Sequence, residues 1–178
     1  MKLIWLDLET TGLDPQYDRI LEIAVSEADL LAPFDARPIF HEVLPYANPL
    51  LDPFVQDMHM KNGLLPECGE RAYVGGFSVT EMVQRLGALL PEAPSRSEMP
   101  VLAGSSIHFD HAFLKTYWPT IAARFSHRHY DVSAVKLFCE SLGMPKLPRA
   151  EAHRAREDVL ESIDHAKQCA AWLKGQAI

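Results

Sequence analysis

The stretch IWLDLETTGLD, residues 4–14, carries two carboxylates inside an apolar run. Its alternation predicts a β-strand over residues 2–9, with Asp7 and Glu9 on one face because they are two residues apart. Two ionised carboxylates at this spacing repel each other, and their desolvation is unfavourable. Either they lie solvated at an exposed strand end, or the fold brings a compensating group or cation against them.

Three further strands are predicted from apolar runs bounded by turn residues. Residues 19–30 and 38–46 extend the first strand into an antiparallel meander, and residues 100–104 form a short buried strand. Residues 127–143 predict a short strand that runs into a helix ended by Gly143.

The remaining pattern predicts helices. Residues 78–92 have helical spacing, with Ser78 and Glu81 resembling a capping box. Residues 106–118 start a second helix, and a last one begins near Ala155. The fold class is therefore α/β, with a mixed central sheet flanked by helices, and we expect one domain over residues 1–178.

Two later acids fall at the ends of other core elements. Asp110 follows the strand at 100–104 near a helix start, and Asp158 lies in the first turns of the last helix. Either acid alone is typical of a helix start that interacts with the helix dipole. Four such acids indicate a site for Mg²⁺ or a similar cation, which prefers oxygen ligands. Two such ions can activate a water and stabilise the leaving oxygen of a phosphodiester.

His153 lies in a loop just before Asp158. An imidazole titrates near neutral pH, so His153 could take a proton from a water in such a site.

These motifs carry a family resemblance. DLETTG, SSIHFD and HRAREDVLES resemble the motifs of the DEDDh family of 3′–5′ exonucleases, which has the ribonuclease H-like fold. The resemblance implies that His153 is the general base and that four acids bind two Mg²⁺ or Mn²⁺ ions: Asp7, Glu9, Asp110 and Asp158.

Further segments, DMHMKNGL and SHRHYDVSAVK, resemble the branch of the family that degrades very short RNA. That resemblance implies that Leu13 wedges against bases, that Phe54 stacks on a base, and that Ser106, Arg128 and Ser133 hold the substrate. It places Arg128 and Ser133 near the 5′-terminal phosphate, which a guanidinium binds bidentately. It also implies a homodimer.

Three functions remain open. The first is hydrolysis of short single-stranded RNA, down to dinucleotides, to nucleoside 5′-monophosphates, which suits a net charge of −7. The second is hydrolysis of longer single-stranded DNA, which Thr10 favours because it is commoner in proofreading relatives. A catalytically silent binding domain is disfavoured because all five catalytic positions are filled.

The location and partners follow from composition. The apolar runs are too short to cross a bilayer, and the first residues lack the pattern of a secretion signal. Three widely spaced cysteines form no CxxC pair, which favours a reducing cytoplasm. We therefore expect a cytoplasmic enzyme with no membrane partner.

Overall fold

A computed structural model describes residues 2–30, 36–48, 52–150 and 152–176 and contains one five-stranded sheet. The strands are β1 (Leu3–Thr10), β2 (Ile20–Glu27), β3 (Arg37–Val43), β4 (Val101–Gly104) and β5 (His129–Asp131). Their order is β3-β2-β1-β4-β5. The β1–β2 and β2–β3 pairs are antiparallel, whereas β4 is parallel to β1 and to β5. The predicted meander followed by parallel strands is confirmed.

Helices cover both faces of this sheet. In the described ranges they are α1 (Pro53–Lys61), α2 (Leu64–Val74), α3 (Val79–Leu89), α4 (His108–Tyr117), α5 (Pro119–Ala122), α6 (Val132–Ser141) and α7 (Ala155–Gln176). The Ser78 side chain caps α3 by accepting a hydrogen bond from the Glu81 N–H at 3.2 Å. Gly143 follows α6 in a left-handed conformation, with φ of 100°. The predicted start of the last helix at Ala155 is confirmed.

The alternation of β1 divides the core into two layers. Ile4, Leu6 and Leu8 pack on one side of the sheet with buried residues of α3, α4 and α5. Leu3 and Trp5 pack on the other side with residues of α6 and α7. The face that carries Asp7 and Glu9 is therefore the face that α7 covers.

The parallel strands β1, β4 and β5 all end at one edge of the sheet, which we call the carboxyl edge. Gly104 allows close approach there, because a Cβ at this position would lie 2.6 Å from the Leu6 carbonyl oxygen. The chain then turns into α4, which carries Asp110. Open α/β sheets bind ligands beyond such an edge.

Within these described ranges, no helix is both long enough and apolar enough to span a membrane.

Candidate active site

Three of the four predicted acids meet at the carboxyl edge. Asp7 and Glu9 project from β1, and Asp158 projects from the first turn of α7. One oxygen from each carboxylate lies within 4.8 Å of the others. Three oxygen ligands at this spacing match the donor set that a hard divalent cation prefers. The fold therefore brings a third acid against the two strand acids, which adds to their repulsion and leaves the compensation to a cation.

Asp110 completes the set from the side. Its carboxylate is 4% exposed and accepts a hydrogen bond from the Leu8 N–H at 2.9 Å, which ties α4 to β1 between the two strand acids. The alternative of an acid that only interacts with the dipole of its own helix does not describe Asp110, because its carboxylate binds the backbone of β1.

The electrostatics of these acids are unfavourable for four ionised groups. Burial, followed by the charges of Asp110, Glu9 and Asp158, raises the pKa of Asp7 well above its ordinary value. Burial and neighbouring acids raise the pKa of Glu9 to about 8. Burial also raises the pKa of Asp110 to about 8 and that of Asp158 to about 6. The cluster therefore holds protons at neutral pH unless a cation replaces them.

His153 lies on the wall of a cavity of about 580 Å³ that Asp7, Glu9 and Asp158 also line. Its backbone is left-handed, with φ of 45°, a conformation that a non-glycine residue adopts at a cost of about 1–2 kcal/mol. The Asn62 side chain donates a hydrogen bond to the His153 carbonyl and so holds this conformation from α1. Local strain of this kind persists where the surroundings fix it.

Two apolar side chains stand at the mouth of the same cavity. Leu13 is 80% exposed on the β1–β2 turn, and Phe54 is 74% exposed in the first turn of α1. The Asp52 side chain caps that helix by accepting from the Phe54 N–H at 2.9 Å. Phe54 is therefore not part of the hydrophobic core.

Of the remaining substrate-binding candidates, Ser106 and Ser133 lie together and Arg128 lies elsewhere on the sheet. The Ser106 and Ser133 hydroxyls lie 3.1 Å apart, and both backbone N–H groups donate to Asp131. Arg128 directly precedes β5. By extension of the strand register it lies beside Val101 of β4, which pairs with Leu3 at the start of β1. Asp7 lies four residues further along β1, a rise of about 13 Å. The backbone of Arg128 therefore lies well back from the carboxyl edge at which the acids meet.

Sequence reasoning missed a second carboxylate cluster beside the first. Glu22 of β2 pairs directly with Glu9 of β1 and is fully buried. It accepts a bidentate hydrogen bond from Arg154 at 2.9 and 3.1 Å and another from the Ala155 N–H at 3.0 Å. The signal was present, because Glu22 interrupts the apolar run ILEIA as Asp7 interrupts IWLDL.

The bonds to Glu22 change its titration. Burial raises the pKa of Glu22, but the hydrogen bonds from Arg154, from His41 and from the Ala155 N–H outweigh that effect and lower it. Arg154 also donates to Glu67 at 2.9 Å. Because Arg154 follows His153, this cluster fixes the joint from which His153 projects.

His59 is a second residue near the acids to which the sequence analysis assigned no role. It is buried in α1, with Nε2 at 3.7 Å from a Glu9 oxygen and 3.3 Å from the Thr10 carbonyl oxygen. Burial lowers the pKa of His59, so it faces Glu9 mainly as a neutral imidazole.

Comparison with known proteins gives a family. A model described as exonuclease (RNase_T) matches residues 4–165. An oligoribonuclease of Arabidopsis thaliana is 33% identical over 171 residues, covering 93% of this chain and 75% of its own length. An oligoribonuclease of Coxiella burnetii is 34% identical over 180 residues, covering 96% of this chain and 93% of its own length.

Solved structures give the fold. The RNase domain of yeast Pop2 superposes with a TM-score of 0.69 at 12% identity, covering 95% of this chain and 76% of that one. Exonuclease I of E. coli in complex with a dT13 oligonucleotide superposes with a TM-score of 0.64 at 16% identity, covering 98% of this chain and 42% of that one. The ribonuclease H-like fold expected from the sequence is confirmed.

Proposed function

Since the chain belongs to the exonuclease family and has oligoribonucleases among its relatives, we propose that it is a 3′–5′ exoribonuclease. It hydrolyses short single-stranded RNA, down to dinucleotides, to nucleoside 5′-monophosphates. The observation that carries this proposal is the meeting of Asp7, Glu9 and Asp158 within 4.8 Å, beside His153, in a cavity open to a small substrate.

The acids are proposed to hold two divalent cations, Mg²⁺ or Mn²⁺. Support comes from the oxygen donor set and from the raised pKa values, since a cation removes the repulsion that otherwise keeps these groups protonated. Asp7, Glu9 and Asp158 are the central ligands, and Asp110 contributes from α4. When bound, the cations supply charge that polarises the phosphate and lowers the pKa of a water.

His153 is proposed as the general base. Its place on the cavity wall, next to Asp158 at the start of α7, suits proton removal from a water that attacks the phosphate. Asn62 donates a hydrogen bond to its carbonyl, and Glu22 binds the next residue, Arg154, so the imidazole is presented from a fixed backbone.

Leu13 and Phe54 are proposed to grip the terminal bases, because their exposed side chains line the cavity that contains the acids. An exposed aromatic ring offers a stacking surface to any base. Ser106 and Ser133 are proposed to bind the substrate backbone through hydroxyls that already lie side by side.

Arg128 is proposed to serve the site of a second copy in a homodimer. Support comes from its separation from the acids of its own chain and from the exposed apolar side chains of α6, Leu137 and Phe138. Mixing Asp7→Ala and Arg128→Ala chains tests this, since a mixed dimer contains one site free of both changes. Recovered activity supports the dimer, and no recovery contradicts the role of Arg128.

A cytoplasmic enzyme built as one domain over residues 1–178 remains our proposal. All three cysteines, Cys68, Cys139 and Cys169, are free and buried, as suits a reducing compartment.

A cleavage time course tests the function. The substrates are a 5′-labelled RNA dinucleotide, a seven-nucleotide RNA and a twenty-nucleotide single-stranded DNA, each with Mg²⁺ or Mn²⁺, and Asp7→Ala is the control. We expect the dinucleotide to disappear fastest. If the DNA is degraded faster while the dinucleotide persists, the enzyme is a general single-strand exonuclease. If wild type and Asp7→Ala behave alike, the assignment of the site is wrong.

A further inference from the structure

The cavity that holds the acids has an uneven charge. Four carboxylates line it, those of Asp7, Glu9, Asp52 and Asp158, and Arg149 is the one lysine or arginine on its wall among the described residues. An anionic substrate entering this cavity meets a single permanent positive charge contributed by the chain itself.

Arg149 also borders a second cavity of about 750 Å³, which shares His153 and Phe54 with the first. Two further cations line that cavity, but each is already engaged. Lys61 contacts Asp57 at 2.6 Å, and Arg154 binds Glu22 and Glu67. Arg149 makes no salt bridge with a carboxylate of the part of the chain that the structure describes, so its guanidinium keeps its donors for a ligand.

The backbone around Arg149 is anchored to α7 on both sides. The Pro148 carbonyl oxygen lies 2.9 Å from Nε2 of His165, and the Ala150 N–H donates to the Glu161 carboxylate. Arg149 therefore projects from a fixed point in an otherwise irregular segment. Arg149 shares the wall of the smaller cavity with Asp158 and His153, so its guanidinium faces the same space as the acid cluster.

We infer that Arg149 is a substrate-binding residue that holds the phosphate being cleaved, at the junction of the two cavities. This inference rests on the proposed function and names a contact within that site. After hydrolysis the same phosphate is the 5′-phosphate of the released nucleotide, so Arg149 also retains the product. A guanidinium suits both states because it binds phosphate oxygens bidentately.

The experiment compares wild type with Arg149→Ala, Arg149→Lys and a charge-matched control, Arg96→Ala, whose side chain lies on the 3₁₀ turn at Arg96–Glu98. Each protein is assayed with Mg²⁺ on a 5′-phosphorylated RNA dinucleotide. Inhibition is then measured with adenosine 5′-monophosphate and with adenosine, which lacks the phosphate. Thermal unfolding of each variant confirms that it is folded.

We expect Arg149→Ala to raise KM, and the inhibition constant of the monophosphate, by about 10- to 100-fold, as for a lost charged hydrogen bond. Inhibition by adenosine stays at its wild-type level. Arg149→Lys falls between the two, because it keeps the charge and loses the bidentate geometry. Arg96→Ala matches wild type.

Three results would overturn the inference. A wild-type KM and monophosphate inhibition in Arg149→Ala would remove Arg149 from the site. A raised KM with unchanged monophosphate inhibition would mean contact with a different phosphate. A lower kcat alone would mean a role other than binding. Failure of the proposed function looks different, because wild type itself would then leave the dinucleotide intact.

Discussion

Glu9 and Glu22 lie opposite each other on neighbouring strands and share one face of the sheet, yet their environments differ. Glu22 is bound by Arg154, by the Ala155 N–H and by His41, and its pKa is lowered. Glu9 is surrounded by other acids, and its pKa is raised to about 8. Hydrogen-bonded partners offset the burial of Glu22, whereas the cations near the other cluster, Arg154 and Arg149, do not outweigh burial and acid–acid repulsion.

This contrast separates two uses of a buried carboxylate. A buried charge with internal partners ties elements together, as Glu22 ties β2 to α7 and, through Arg154, to α2. A buried cluster of acids without internal cations destabilises the metal-free fold and favours an external cation. The two clusters meet at the joint between His153 and Arg154, so the structural cluster holds the base of the proposed catalytic one.

The largest effect is expected on activity from Asp158→Asn. Loss of this ligand should reduce hydrolysis to the background rate and weaken Mg²⁺ binding measured by calorimetry, with the fold unchanged in circular dichroism. Asp164→Asn is the matched control, because Asp164 lies on the same helix, exposed and bound to Gln168. Near-normal hydrolysis in Asp158→Asn would refute its role as a ligand.

His153→Ala should lower kcat by about 10²–10⁴, as for a lost general base. Mg²⁺ affinity should stay near wild type, because His153 is not a proposed ligand. His41→Ala provides the comparison, since His41 is the histidine of the Glu22 cluster and should affect stability more than rate. Equal rates for the two variants would contradict the proposed role of His153.

Glu22→Gln should lower the free energy of unfolding by about 3–5 kcal/mol, because it leaves Arg154 partly buried and without its main partner. Denaturant unfolding at pH 7 measures this. Glu67→Gln removes the more exposed partner of Arg154 and should lower it by less than about 1 kcal/mol. Similar losses in both variants would show that Glu22 is not the main partner.

Glu9→Gln should raise the melting temperature of the metal-free protein at pH 8.5 by a few degrees, where about 1 kcal/mol corresponds to about 2–4 °C. The sign follows from the raised pKa of about 8. The folded state holds a proton on Glu9 that the unfolded state has lost, so stability is present below pH 4.5 and is lost as the pH rises through 8.

The gain in Glu9→Gln should therefore shrink toward pH 5. The contribution of Glu22 to stability depends on pH in the opposite direction. Because folding lowers the pKa of Glu22, the contribution is present at pH values above the ordinary pKa of a glutamate and is lost as the pH falls. With saturating Mg²⁺, wild type should have the higher melting temperature of the two proteins. Bound Mg²⁺ stabilises wild type, and Glu9→Gln has lost one of the ligands that bind it. A destabilised Glu9→Gln in the absence of metal would contradict the comparison.

Much of this architecture could be predicted from local patterns. The period of two in β1 predicted that Asp7 and Glu9 share a face. The predicted helix start near Ala155 placed Asp158 in the first turns of α7, where the structure brings it against both acids. The HRARED motif placed His153 beside that helix. Each of these predictions depends on neighbours a few residues apart, where backbone geometry alone determines direction.

Glu22 is an example of a residue whose partners local patterns do not predict. Its position in an apolar run marks it as unusual, as with Asp7, but the run does not reveal that Arg154, 132 residues away, neutralises it. Arg128 belongs to a recognisable segment, yet sheet register places its backbone well back from the carboxyl edge at which the acids meet. Arg149 carries no motif, and its proposed role follows from two cavities lined by β1, α1, the start of α7 and the segment between α6 and α7.

The sequence by itself determined the strand faces, the start of the last helix, the acidic residues and the family. Only the tertiary structure decided which buried acids receive a countercharge, which cation faces the substrate cavity and which predicted residues share one site. The reason is physical: periodicity sets the direction of a side chain, whereas its electrostatic environment depends on residues that sheet register and helix packing bring from distant parts of the chain.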